Sequence, residues 1–433
     1  MTTALGPETV DRLSRQAKDP SWLAQLRDAA LKEHEQLPWP NASDEIWRRT
    51  SVALLDPRKG FSVAESPLLQ TLPLDRPELA ALISPFGDEH LLVHWDGSWV
   101  HQQAPAGVFV GDVSQATGER AERVRKILEA DGLTSEERKL TSLTTAFHRQ
   151  GALIDIPAGF HGEVPLRLVQ LFSARAGSAV FPLTVIVVGA GSSVTLIEED
   201  AGVAVPGAEG PHVLTGRIEL VVEPEATVRY CRIQRWHAQA REFLLQQASV
   251  QRGGQLTMIN INFGAAVSKT HVVAKLLGPR ASSRVFGFVF GHDQQHIDFH
   301  SLQDHLAPQT MSDLLYKAAL KDQSRMIYTG LIRIAKAANQ TDAYQANNNL
   351  LLSRQARAET IPMLEILADD VRCKHGATVG PVDEEQLFYL MARSIPRELA
   401  ERLLVMGFVD PVIAEIPFEP FQERLRQELE GSL

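Results

Sequence analysis

Residues 250–258 read Val250-QRGG-QLTM: a strand end, a four-residue polar turn and the start of a second strand. The same unit returns as Val188-GAGSS-VTLI, Val222-EPEA-TVRY, Leu276-LGPRASS-RVFGF, Leu320-KDQS-RMIYTGLI and Leu352-SRQARAE-TIPMLEI, at spacings of 34, 28, 26, 44 and 32 residues in chain order. Repeats of this length belong to solenoids, in which one unit cannot bury its inner face until neighbours stack on it. The flanking runs alternate, as in Ile218-Glu219-Leu220 and in the TMININF of residues 257–263, which predicts one inward face per strand. Amphipathic helices that could make strand–helix–strand crossovers do not intervene, so the expected fold is a mainly β parallel β-helix over residues 151–380. An antiparallel sandwich is the alternative, and it would place turns every 8–12 residues or so.

Outward from the repeat the period changes to that of helices. Residues 1–150 are expected to form a mainly helical N-terminal region. Its first helix lies between Pro20 and Pro38, with Asp19 as cap and Trp22, Leu23, Leu26 and Ala30 on one face. Two more fall between Gly111 and Gln150, the second capped by Ser135 and burying Leu140, Leu143 and Phe147. Residues 41–110 are mixed, with one predicted strand, Leu91 to Trp95, leading into an Asp96-Gly97 turn. Residues 381–433 are expected to be helical again. Asp383, Glu384 and Glu385 open one helix, and Ser394 with Pro396 opens another that carries Leu399, Leu403 and Leu404 and stops at Gly407. Both helical flanks are expected to cap the solenoid ends.

At 433 residues, 44% hydrophobic and 22% charged, the chain has the composition of a folded globular protein. Its 53 acidic and 43 basic residues leave a net charge of −10 without a basic block, which argues against nucleic acid as a partner. No run approaches the about 18 apolar residues of a membrane span, and the N-terminus lacks a basic start followed by an apolar stretch. Two cysteines, Cys231 and Cys373, are too few to staple a secreted fold. Together these point to a cytoplasmic protein.

Cys373-Lys374-His375 is the leading site candidate. On a strand, residues i and i+2 share a face, so the thiol and the imidazole converge, and both groups bind iron and sulfur species. Two ligands do not close a site; the rest must come from elsewhere in the chain or from another subunit. The bland alternative is a buried thiol beside a hydrogen-bonded histidine. His292, His296, His300 and His305 also cluster, but at no standard zinc spacing, and Asp293, Asp298 and Asp304 suit hydrogen-bonded turns better. Asp369-Asp370 reads as a turn rather than as paired catalytic acids, because adjacent strand residues face opposite ways. Cys231, with no ligand-forming neighbours at a recognisable spacing, reads as a core thiol. No phosphate-binding glycine loop or nucleophile elbow appears, so no ATP is expected to bind this chain.

The stretch from Thr341, DAYQANNNLLLSRQARAETIPMLEILADDVRCKHGATVGPVDEEQLFYLMARSI, resembles the C-terminal core of the SufB/SufD family of iron–sulfur cluster assembly scaffolds. QHIDFHSLQDH, YKAAL and YTGLIRI upstream continue it, and WLAQLRDAALKEHEQLP with residues 45–50, EIWRRT, resembles the family's helical N-terminal region. CKHGATVG resembles the SufD branch, where the SufB branch carries a Glu-His-Glu-Ala-Thr type segment and an additional cysteine. The chain departs from the family at Met391-Ala392-Arg393-Ser394-Ile395, often Arg-Ser-Arg-Gly-Ile, and at Asn339-Gln340, often Ala-Gln.

The resemblance implies a right-handed parallel β-helix acting as a non-catalytic subunit of an ATP-driven complex. Its partners would be a SufB-like subunit and a SufC-like ATPase; a self-associating solenoid that forms a homodimer in isolation is the alternative. His375, with Cys373 beside it, would stand at the interface where a transient iron–sulfur cluster forms; reduced flavin is a further candidate in the complex. The C-terminal helices would hold the ATPase, through Phe388, Tyr389, Leu390, Leu403 and Phe408.

Overall fold

A computed structural model describes residues 5–64, 77–130 and 132–432; part of the mixed stretch 41–110, residues 65–76, lies outside them. The fold is mainly β, a parallel solenoid flanked by helices. Each coil gives one strand to an 11-stranded sheet and one to a facing 10-stranded sheet, so chain neighbours alternate between sheets and pair with strands two further on. All pairings within the coils are parallel, which excludes the sandwich.

The register corrects the period read from sequence. Val188, Val222, Val250, Leu276, His305, Ile334 and Ile366 stack as successive partners in one sheet, at steps of 34, 28, 26, 29, 29 and 32 residues. The units at Leu320 and Leu352 belong to the opposite corner, where Gly291, Leu320 and Leu351 are successive partners in the other sheet, and this produced the irregular step of 44. The equivalent turns at 306–310, 335–340 and 367–370 lack the glycines that marked the earlier ones. Backbone bonds tie that corner together: Gly191 N–H to Pro224 O, Glu225 to Arg252, Gly253 to Pro279, Arg280 to Pro308, Gln309 to Asn339 and Gln340 to Asp370, at 2.6–3.3 Å. Each donor sits at φ between 60° and 67°, a left-handed conformation that repeats once per coil. Asp369-Asp370 is thus the last such turn, as its reading as a turn required.

Both faces of most strands are buried, which overturns the expectation of a single inward face. Inside lie Ile218, Leu220, Val250, Met258 and Tyr316. In residues 257–263 the pleat points Met258 and Asn260 inward, Asn260 reaching Tyr316 Oη at 3.3 Å, while Ile259 and Ile261 face out. They are covered by the C-terminal helices Arg397–Ile413 and Glu419–Ser432, whose Val405, Val409, Val412, Phe421 and Leu425 join their cluster with Cys231, a core thiol as expected. The N-terminal helices Ser21–Gln36 and Ser135–Phe147 cover the other sheet through Leu23, Leu140, Leu143 and Phe147.

The helices therefore clothe the flanks. At the start of the solenoid the hairpin His90–Trp95/Ser98–Gln102 joins one sheet, with Asp96 and Gly97 both at positive φ as a two-residue hairpin turn demands. At the far end the expected helical cap is not seen among the described residues. The final strands, Arg357–Ile366 and Val371–Pro381, have an exposed or half-buried pattern throughout, unlike the coils before them.

Helix ends differ from expectation for local reasons. Thr134, not Ser135, caps Ser135–Phe147 in a reciprocal capping box with Glu137. Asp19 does not cap Ser21–Gln36; it binds the buried Arg27 guanidinium at 2.6 Å instead. The Arg397–Ile413 helix passes Gly407 because Val409, Val412 and Ile413 continue its buried face, which outweighs the about 1 kcal/mol cost of a mid-helix glycine. Pro396 is its N-cap, without a side-chain bond, and Leu399 and Leu403 are exposed. Asp383 does cap Glu384–Met391, accepting from the backbone of Glu385 and Gln386.

Candidate functional site

Cys373 and His375 lie on Val371–Pro381, the edge strand of the 10-stranded sheet, opposite Ala343 and Gln345 of Thr341–Leu351. Those two neighbours are buried and inward-facing; Gln345 Nε2 bonds across the solenoid to Gly330 O at 3.1 Å. The register places Cys373 and His375 on the same inner face. In any earlier coil they would be core. Among the described residues no further coil stacks on them, so Cys373 is half-buried against Ile332, Ile334, Ala343, Ala368 and Val371, and His375 is exposed. Leu364, Ile366 and Val379, also inner-face residues by register, are about 40% exposed for the same reason.

The Cys373 thiol is held above its ordinary pKa, first by burial and then by the Asp342 carboxylate. It is therefore protonated at neutral pH, and a thiolate there needs a metal or a cation supplied from outside. Removing the carboxylate lowers that pKa and enlarges the thiolate fraction. Asp342→Asn is expected to raise the rate of Cys373 alkylation by iodoacetamide at pH 8 about two- to threefold, Cys231 staying unreactive. An unchanged or slower rate would contradict this electrostatic assignment.

The four clustered histidines do not converge. The corner turn takes His292, which bonds Asp293. His296 and His300 face outward; His296 Nε2 lies 2.8 Å from Thr50 Oγ1, beside the Lys269–Asp298 ion pair. His305 faces inward, between the hydroxyls of Thr310 and Ser312, both at 2.8 Å.

Of the five residues expected to meet an ATPase, Phe388 and Tyr389 are 72% and 57% exposed, with the Arg393 guanidinium 3.6 Å from the Tyr389 ring centroid. Leu403 is exposed, Leu390 is half-buried, and Phe408 packs into the flank, where it receives the Lys317 ammonium. Met391 and Leu399 extend the exposed apolar surface of Glu384–Met391 and Arg397–Ile413.

An ionic cluster inside the solenoid was missed, though the run Glu198-Glu199-Asp200 within a strand was its signal. Arg232 binds Asp200 and Glu242 at 2.6 and 3.0 Å. Glu198 accepts from Tyr230, Gln170 and Thr184. Burial pushes Asp200 up to about 7 against the pull of Arg232, and Glu198 and Glu242 push the same way. Arg232 is five strands from Cys373, about 24 Å at strand spacing, so the cluster is separate from the terminal site.

Geometry defines the class first: a β-solenoid flanked by helices, whose final described coil carries a thiol and an imidazole on its uncovered inner face. The chain belongs to the SufBD family of iron–sulfur cluster assembly proteins, since residues 171–408 match the family described as SUF system FeS cluster assembly, SufBD core domain. It is 28% identical to the iron–sulfur cluster assembly protein SufD of Bacillus subtilis, over 96% of this chain and 95% of that one. A SufBD family protein of Staphylococcus epidermidis is 26% identical over 98% of this chain and 93% of its own length. One from Mycobacterium leprae is 31% identical over 62% of this chain and 30% of its own. No helix among the described residues is long and apolar enough to cross a membrane.

Proposed function

We propose that this chain is the SufD-type subunit of a cytoplasmic assembly complex, that its uncapped solenoid end pairs with a SufB-like subunit, and that a cluster forms between the two. The observation that carries the reading is the inner-face position of Cys373 and His375 on a last coil with no neighbour. A solenoid end of this kind gains stability from a partner that continues the stack or pairs with its edges. The final strands, 10 and 11 residues long, give it an edge of about 33–36 Å.

In this proposal residues 1–150 and 381–433 are flanking regions on a 151–380 core, and the chain contributes ligands, not catalysis. His375, and Cys373 once ionised by the incoming metal or a partner's cation, are ligands to the cluster being built, which is cargo. Phe388, Tyr389, Leu390, Leu403 and Phe408 are the proposed ATPase contact, the first two and Leu403 as its exposed anchors and Phe408 as their support. ATP-driven association of two bound SufC-like subunits would move the pair and reshape the interface to admit iron and persulfide sulfur.

Gentle co-purification is expected to recover SufB-like and SufC-like chains in fixed stoichiometry. His375→Ala is expected to keep that complex yet fail to support maturation of iron–sulfur enzymes in a strain lacking the native copy. Recovery only as a lone monomer contradicts the pairing; normal maturation contradicts the site.

A further inference from the structure

The outer face of the 11-stranded sheet carries a second constellation. His271 and His300 are direct register partners on adjacent strands, with ring centroids 5.0 Å apart. The Ser135–Phe147 helix lies over them and lowers Glu137 toward His271, its Oε1 3.0 Å from His271 Nδ1. Glu137 Oε2 is engaged by the Thr134 backbone N–H at 2.9 Å, which fixes the carboxylate's orientation. One ligand atom from each of the three residues can be chosen so that all lie within 4.8 Å of one another.

The site is closed and incompletely satisfied. All three side chains are buried, with Trp47 and Phe243 against His271. Among the described residues, Nε2 of His271 and both ring nitrogens of His300 have no hydrogen-bond partner. A buried polar atom left unpaired costs about 1–3 kcal/mol, and three in one place call for an occupant. The neighbouring Lys269 and Asp298 neutralise each other at 2.7 Å, so the local charge is the single negative one of Glu137.

We propose that Glu137, His271 and His300 bind one divalent first-row transition cation, Zn2+ or Fe2+, that clips the N-terminal helix to two coils of the solenoid. Two imidazoles and a carboxylate form a donor set suited to either ion. A tetrahedral ion about 2.0–2.1 Å from each ligand atom holds them about 3.3–3.4 Å apart, so the widest gap, at most 4.8 Å, closes by no more than about 1.5 Å. No ligand is open to solvent, so the ion enters and leaves through local opening of the covering helix. This inference stands apart from the proposed function and from the terminal thiol and imidazole.

The test uses the full chain carrying Cys373→Ser and His375→Ala, so that the terminal site cannot supply the metal. Metal content after anaerobic purification, and Co2+ titration read by visible absorption with Zn2+ and Fe2+ as competitors, are expected to give one ion per chain. The competing ions identify which is preferred. His300→Asn is expected to lose affinity by more than the about 10–100-fold that removal of an outer-shell partner costs. Glu137→Gln serves the same purpose should His300→Asn not fold. Chelation is expected to lower the thermal midpoint of the parent. Absence of a bound ion in the parent, or unchanged affinity in a folded ligand variant, overturns the proposal.

Discussion

Arg232→Met is expected to destabilise the fold by about 3–5 kcal/mol, the usual cost of stripping the counter-ion from buried carboxylates. Among the described residues, Arg232 is the only cation bound to Asp200 and Glu242, and the same cavity holds Glu198. Without it the carboxylates avoid their charge by taking up protons, so the loss must depend on pH. In the folded parent burial holds Asp200 above the ordinary carboxylate value against the pull of Arg232, so it keeps a proton over a pH range in which the unfolded chain has released it. By linkage, the contribution of Asp200 to stability falls as pH rises from the ordinary carboxylate range through its raised folded value, and Asp200→Asn should remove that contribution from the pH profile. The Arg232→Met penalty should be larger at pH 8 than at pH 5.5. Urea unfolding at the two pH values reads both effects. A penalty below about 1 kcal/mol, typical of exposed ion pairs, would place the cluster in contact with water and contradict its burial.

Ile366→Lys together with Val379→Lys is expected to weaken binding of a SufB-like partner about 100-fold or more. Each substitution puts an ammonium on the apolar inner face of the last coil, and about 3 kcal/mol of desolvation corresponds to that factor. The isolated chain should keep its thermal midpoint, because both positions are already about 40% exposed and their neighbours lie on one side only. This separation of binding from stability distinguishes an interface from a core. Undiminished binding of the double variant would remove the solenoid end from the interface.

The solenoid was legible because a turn of small and polar residues must return once per coil. The period blurred where the corners lost their glycines: at Arg280, Gln309 and Gln340 ordinary side chains occupy the left-handed position, held by the backbone bonds between stacked turns. Alternation misled at Ile259 and Ile261, since apolar residues facing out are expected only if something covers them, and the covering helices lie far downstream, from Arg397 on. The same remoteness hid Glu137 from His271. Cys373 and His375 were visible as a pair because their relation needs only the two-residue pleat. That they are exposed was not, because exposure follows from where stacking stops.

Amide hydrogen exchange of Arg357–Ile366 and Val371–Pro381, with and without a SufB-like partner, tests the central claim most directly, because exchange reports which backbone groups gain partners. The account predicts fast exchange along these two strands in the isolated chain and strong protection in the complex, centred on residues 371–379. Protection confined to other surfaces, with the terminal strands exchanging as before, would contradict it.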